Sequence, residues 1–336
     1  MAGIGRMTLD LGREGRQTGF LDLPFSGHDD AWGVLRVPLA VVARGQGPTV
    51  ILCGGNHGDE YEGPIVLGEM IRDLDPGRVH GRLIFLPALN LPAVEAARRT
   101  SPLDGLNLNR SFPGDPLGSP TQQLAAFLAQ ELFPIADAFI DLHSGGSSLR
   151  IVPSAAVEPA ADPGLAARIR AAVAAFDAPM AVEISNRGDP RTSTATAVRA
   201  GLVTVGTELG GGGGVSPEGV RIARRGVANV LAHLGALEPE VPAPSPTPRP
   251  LHSISGPDAH LLAPEAGVFE PFHEPGATVS AGQPAGRIHF LANPAREPVT
   301  LRYGDSGVLY GLRQPGPVRA GTCCLVVAAP LPEAEA

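Results

Sequence analysis

Residues 49–60 read Thr-Val-Ile-Leu-Cys-Gly-Gly-Asn-His-Gly-Asp-Glu, an uncharged β-favouring run that breaks at two glycines and then presents His57 and Glu60. Such a run is short enough for a buried strand, and the residues after it, 64–74, repeat apolar positions at helical spacing. Glycines allow the sharp strand-to-helix turn. A strand, a glycine turn and a helix form the repeating unit of layered α/β folds, in which side chains from several strand ends converge at the carboxyl edge of the sheet. An imidazole and a carboxylate brought together there suit Zn²⁺. His-x-x-Glu by itself is a weak pattern and needs a second element.

That element is residues 138–146, Ala-Phe-Ile-Asp-Leu-His-Ser-Gly-Gly, where another apolar strand ends in a histidine before a glycine turn. His57, Glu60 and His143 together make a two-histidine, one-carboxylate set that leaves a fourth tetrahedral position for water, as a catalytic zinc requires. Asp141 alternates with His143 and so shares its face, either as a carboxylate supporting the metal site or as a hydrogen-bonding residue at the core rim. A third strand end, Thr207-Glu208-Leu209 before Gly210–Gly214, carries a charge where a strand end would otherwise be apolar, which fits a general base. The alternative for Glu208 is a helix cap or a surface residue. The fourth element is the loop Asn107-Leu108-Asn109-Arg110-Ser111-Phe112-Pro113-Gly114, whose guanidinium could hold a carboxylate through two parallel hydrogen bonds. Arg98 and Arg99 lie upstream and could set a second cation on a scissile carbonyl.

Around these elements the reading is α/β: central strands at 49–53, 82–86, 137–142 and 202–207, a further strand at 33–44, and helices at 64–74, 161–175, 119–132 and 216–234. The helix at 119 opens on Ser-Pro-Thr-Gln, a capping-box pattern with proline at the first helical position. Composition breaks at 238–250, EPEVPAPSPTPRP, where prolines forbid helix and sheet. The expected organisation is a catalytic α/β domain over 1–237, a proline-rich linker over 238–250 and a smaller β-rich domain over 251–336. The last has short segments at 267–272, 285–289, 299–303, 307–312 and 323–328, which read as a barrel or sandwich.

Composition removes whole classes. The chain has 336 residues and a formal charge of -8, which leaves no basic surface for nucleic acid. No lysine occurs anywhere, so Schiff-base catalysis and biotin or lipoyl attachment are excluded. Three cysteines without a framework fit a reducing compartment. No apolar stretch reaches membrane-spanning length, and the amino terminus lacks a signal-like apolar region, so the cytoplasm is the expected location. A homo-oligomer is compatible with all of this. Tyr303 and Tyr310 stay open between strand aromatics and residues that reach the active site. The seven histidines other than His57 and His143 read as surface or capping residues.

GGNHGDEYEGP, SPLDGLNLNRSFPG, DLHSGG and TELGGGG, in this order, resemble the succinylglutamate desuccinylase/aspartoacylase family, whose catalytic domain is related to zinc carboxypeptidases. The resemblance covers nearly the whole chain. It implies one zinc held by His57, Glu60 and His143, with Glu208 as the catalytic carboxylate and Asn109 and Arg110 binding the substrate carboxylate. It also implies a carbonyl-polarising arginine, here Arg99 with Arg98 as the alternative, because the spacing to Arg110 departs from the family pattern. The arginine that holds a side-chain carboxylate in aspartoacylases has no counterpart that can be mapped. The activity implied is zinc-dependent hydrolysis of the amide of a small N-acyl amino acid, with N-α-acetyl-L-2,4-diaminobutyrate as the leading substrate. Acetylaspartate-like or succinylglutamate-like substrates and carboxypeptidase activity are the enzymatic alternatives. A zinc-binding ligand sensor on an enzyme fold is the non-enzymatic one, and the joint presence of all three ligands and Glu208 argues against it.

Overall fold

The computed structural model describes residues 5–184, 189–239 and 249–331. Most of the expected linker, 240–248, lies outside the described residues, and so do 185–188.

Thr49–Gly54 is buried at every position. Val50 and Leu52 enter one apolar cluster, while Ile51 and Cys53 enter another. A strand alternates between two cores in this way only when both faces of its sheet are covered. Gly81–Leu86 and Ala138–His143 run parallel on its two sides, and Val203–Glu208 lies parallel beyond Ala138–His143. Helices Glu62–Asp73, Pro163–Phe176 and Pro217–His233 cover one face through residues such as Val66, Ile169 and Val227. Pro120–Phe127 and the π-helical turn Leu128–Leu132 cover the other. At the start of that helix Gln122 accepts from the Ser119 backbone N–H, whereas the Ser119 hydroxyl donates to Asp104. Asp104 also takes the Thr121 N–H, so it caps the helix from outside the motif.

The sheet does not stop at the four central strands. Among the described residues fifteen strands form one mixed sheet, and four others form a separate antiparallel sheet. The expected strand near 33–44 is present as Val34–Arg44, and it pairs along the whole length of Gly15–Pro24, which the sequence reading left unplaced and which is buried only at Leu21 and Leu23. On the other side Val203–Glu208 pairs antiparallel with Ser154–Val157, which pairs parallel with Met180–Ile184. Leu251–Ile254 then pairs parallel with Met180–Ile184 and antiparallel with Cys323–Pro330. The small sheet contains Gly267–Pro271, Pro284–His289, Val299–Arg302 and Pro317–Val318. No helix is long and apolar enough to cross a membrane among the described residues.

Candidate active site

The ladder register decides where the chemistry gathers. Gly54 pairs with Leu142 and Glu208 pairs with His143, so these parallel strands end level with one another. Whatever follows or finishes each strand is delivered to the same edge.

Leaving its strand, the chain turns through Gly55 at φ 66° and enters a segment in which Asn56, His57, Asp59, Glu60 and Glu62 are all buried. Buried polar side chains at this density persist only if they are partnered. Asn56 Nδ2 donates to Asp141 at 3.2 Å. Asp59 accepts from the Ser147 backbone and hydroxyl at 2.7 Å each. Glu62 accepts from the Ser144 hydroxyl at 2.9 Å and the Ser216 backbone at 2.8 Å. Asp59 and Glu62 both lie inside and bind neighbouring loops to the site. Gly58 is required by contact, since a Cβ there would sit 1.9 Å from the Ala93 carbonyl.

Glu60 lies between two imidazoles, 2.8 Å from His57 Nδ1 through one oxygen and 2.8 Å from His143 Nδ1 through the other. One donor atom from each residue falls within 4.8 Å of the others, and this is the one such group of three that could hold a metal ion among the described residues. The far ring nitrogens are also engaged: His57 Nε2 lies 3.1 Å from Asn107 Oδ1, and His143 Nε2 lies 3.1 Å from Asp141 Oδ2. These acceptors keep the proton of a neutral ring on Nε2 and leave the Nδ1 lone pair turned toward Glu60, the arrangement expected of metal-ligating histidines. Burial opposes ionisation of Glu60, but His57 and His143 outweigh it and hold its carboxyl well below the usual range. Burial lowers His57 despite Glu60, whereas Asp141 and Glu60 overcome burial at His143 and raise it well above its ordinary value.

Glu208 completes the edge. Burial, reinforced by the Glu60 charge, pushes its carboxyl up to about 8. Its Oε2 is buried without a hydrogen-bond partner in the structure, which is an orphaned anion site awaiting a proton or a cation. Arg99 lies at the cluster, with Nη1 3.4 Å from His57 Nδ1 and 3.7 Å from Glu60. Arg98 instead contributes its backbone carbonyl, which accepts from the Gly58 N–H at 2.9 Å and thereby fixes the turn that presents Arg99. Asn109 Oδ1 accepts from the Ser193 backbone at 2.9 Å, and Arg110 approaches Asp189 at 3.4 Å. His57, Glu60, Arg99, Asn109, Arg110, His143 and Glu208 all line one cleft of about 670 Å³, part of it open solvent.

Of the two tyrosines left open, Tyr303 belongs to the C-terminal core, its hydroxyl 3.1 Å from His273. Tyr310 is buried behind the site: its hydroxyl is 2.7 Å from Ser154 Oγ, and Ser154 is the ladder partner of Glu208. Sequence reading missed Asn107 as a partner of His57, although it stands in the quoted Asn-Leu-Asn-Arg loop. It also missed Ser193, which donates to both Asn109 and Asp141. The seven-residue helix Ser193–Arg199 that carries it has no strong local signal apart from its Thr192 cap.

The descriptor of a known family, succinylglutamate desuccinylase/aspartoacylase catalytic domain, matches residues 46–234. The chain belongs to the succinylglutamate desuccinylase/aspartoacylase family. Its relatives include the N-alpha-acetyl-L-2,4-diaminobutyric acid deacetylase of Halomonas elongata, 40% identical over 323 residues that span 96% of this chain and 94% of that protein. The product-bound ectoine utilization protein EutE (DoeB) from Ruegeria pomeroyi superposes with a TM-score of 0.93 at 39% identity, covering 98% of this chain and 100% of that one. A succinylglutamate desuccinylase/aspartoacylase from Rhodobacter sphaeroides gives 0.90 at 40% identity with the same coverages. As a member of this family the chain is an enzyme that hydrolyses amide bonds.

Proposed function

We propose that this enzyme is a zinc-dependent deacetylase that converts N-α-acetyl-L-2,4-diaminobutyrate to diaminobutyrate and acetate. The observation that carries the reading is the level meeting of His57, Glu60, His143 and Glu208 at one sheet edge, in a chain 40% identical to a deacetylase of that name. His57, Glu60 and His143 hold the metal in this reading, and their donor set, two imidazoles and one carboxylate, suits zinc. When bound, zinc acidifies a water and polarises a carbonyl. Glu208 Oε2 takes the proton of the attacking water and later returns it to the leaving amine. Arg99 steadies negative charge on the carbonyl oxygen. Asn109 and Arg110 orient the substrate carboxylate, with the guanidinium supplying the geometry for two parallel bonds.

The family's zinc-carboxypeptidase relationship is taken to extend to the central sheet, and the C-terminal strands are taken as a barrel or sandwich. We assign 1–237 to the catalytic domain, 238–250 to the linker and 251–336 to the C-terminal domain. Three cysteines, two adjacent and the third far away, make no spacing framework and support a cytoplasmic setting.

Acetate release from N-α-acetyl-L-2,4-diaminobutyrate by zinc-loaded protein tests the reading, with turnover expected between about 1 and 10³ per second. Release from acetylaspartate or succinylglutamate alone would transfer the assignment to those substrates.

The charge arrangement also sets a pH dependence. In metal-free protein Glu208 keeps its proton to about pH 8, and His143 keeps its proton above the ordinary 6.5. The unfolded chain releases both earlier, so both contributions to stability are lost as pH rises through the folded-state values. His57, held below its ordinary value, is already neutral over that window. A cation favours the deprotonated forms of all these groups. The melting-temperature gap between zinc-loaded and chelated protein should therefore widen from pH 6.5 to 8; a constant or narrowing gap would contradict the assignment.

A further inference from the structure

The cleft lining contains one carboxylate with no task in the mechanism above. Glu158 follows the strand Ser154–Val157 and lines the cleft together with Arg99, Arg110, Thr194 and Ile184. It is half-buried, and its hydrogen bond comes from the Thr194 hydroxyl at 2.8 Å. Arg199, whose charge reaches it, spends its guanidinium on the Pro190 carbonyl and the Thr196 hydroxyl. Among the described residues no ion pair forms with Glu158. A second carboxylate, Glu183, is the ladder partner of the adjacent Val157 and adds negative charge.

A partly desolvated carboxylate in a cleft, held by one neutral donor beside another carboxylate, is costly unless a cation arrives. Arg99 and Arg110 provide for the anionic ends of an N-acyl amino acid, which leaves the substrate side chain as the part that can bring a cation to Glu158. We propose that Glu158 is a specificity-determining residue that binds a side-chain ammonium, selecting N-acyl amino acids with a short cationic side chain against neutral or acidic ones. This inference rests on the deacetylase reading and deepens it. Burial pushes the Glu158 carboxyl up although Thr194 and Arg199 pull it back, and this agrees with a site that is completed only when a positive charge enters.

The test compares kcat/KM for N-α-acetyl-L-2,4-diaminobutyrate with that for N-acetyl-L-norvaline, which replaces the ammonium by a methyl group of similar size. Unaltered protein should favour the cationic substrate by about 10- to 100-fold, the range of a charge-assisted hydrogen bond, and Glu158→Gln should bring the ratio toward unity. Because the readout is a ratio, general damage to folding or zinc loading lowers both rates and leaves it in place. Glu158→Asp, which keeps the charge, should retain part of the preference. A preference that survives in Glu158→Gln overturns the inference and leaves the deacetylase reading standing. Equal use of both substrates by unaltered protein overturns it as well. Failure of unaltered, zinc-loaded protein to hydrolyse either substrate sinks the diaminobutyrate reading and this inference with it.

Discussion

Glu208→Gln is expected to give a folded protein that still takes up zinc but releases acetate about 10²- to 10⁴-fold more slowly, the usual loss when a positioned general base is removed. The ladder position opposite His143 uses only backbone atoms, so the substitution leaves Val203–Glu208 in register. An amide fills the same space but cannot accept the proton of the attacking water or return one to the amine. The residue it replaces is half-buried, has its carboxyl raised to about 8 and has one buried oxygen unpartnered, so the folded chain gives up no hydrogen bond at that oxygen. Metal-free Glu208→Gln should accordingly melt no lower than unaltered metal-free protein at neutral pH, because the unaltered chain must take up a proton at Glu208 on folding and the amide need not. Near-full activity in the variant, with zinc content verified by mass spectrometry, would remove Glu208 from the mechanism.

His143→Ala should have a different signature, with activity falling to background, zinc uptake lost and stability reduced together. His143 lies 2.8 Å from Glu60 and 3.1 Å from Asp141, so truncation leaves two buried carboxylates facing an empty space. Breaking a buried charged pair in this way costs about 3–5 kcal/mol. Zinc titration of the variant, followed by melting, checks both parts. A variant that bound zinc as tightly as unaltered protein would show that the metal lies elsewhere. The contrast between the two substitutions is informative: Glu208→Gln separates catalysis from stability, and His143→Ala does not.

The central strands were legible because each is a short apolar run, and TVILC closed by two glycines has the length of a strand rather than of a helix. The gathering of His57, Glu60 and His143 was legible for a related reason, since polar residues at the ends of such runs are delivered to the sheet edge. Gly15–Pro24 was not legible: alternate positions are exposed and its pairing partner is a separate strand. Asp59 and Glu62 look like ordinary surface acids in sequence, and only the loops at Ser147, Ser144 and Ser216, far away along the chain, make them interior. That Arg99 rather than Arg98 lines the cleft goes with the backbone bonds of Arg98, from the Gly58 N–H and to the Ala93 carbonyl, which no spacing rule encodes. Glu158 follows the same pattern, ordinary as a letter and distinctive only once Thr194 and the cleft are around it.

The pairing of Leu251–Ile254 with Met180–Ile184 has a consequence for dissecting the protein. A fragment ending at residue 239 would strip that partner from Met180–Ile184, and the bare backbone donors and acceptors would invite the same strand of another fragment. Such a piece would be an aggregating species rather than a smaller enzyme. Chimeras with relatives would be better joined at surface loops that leave this seam intact, so that recombination carries both sides of it from one parent.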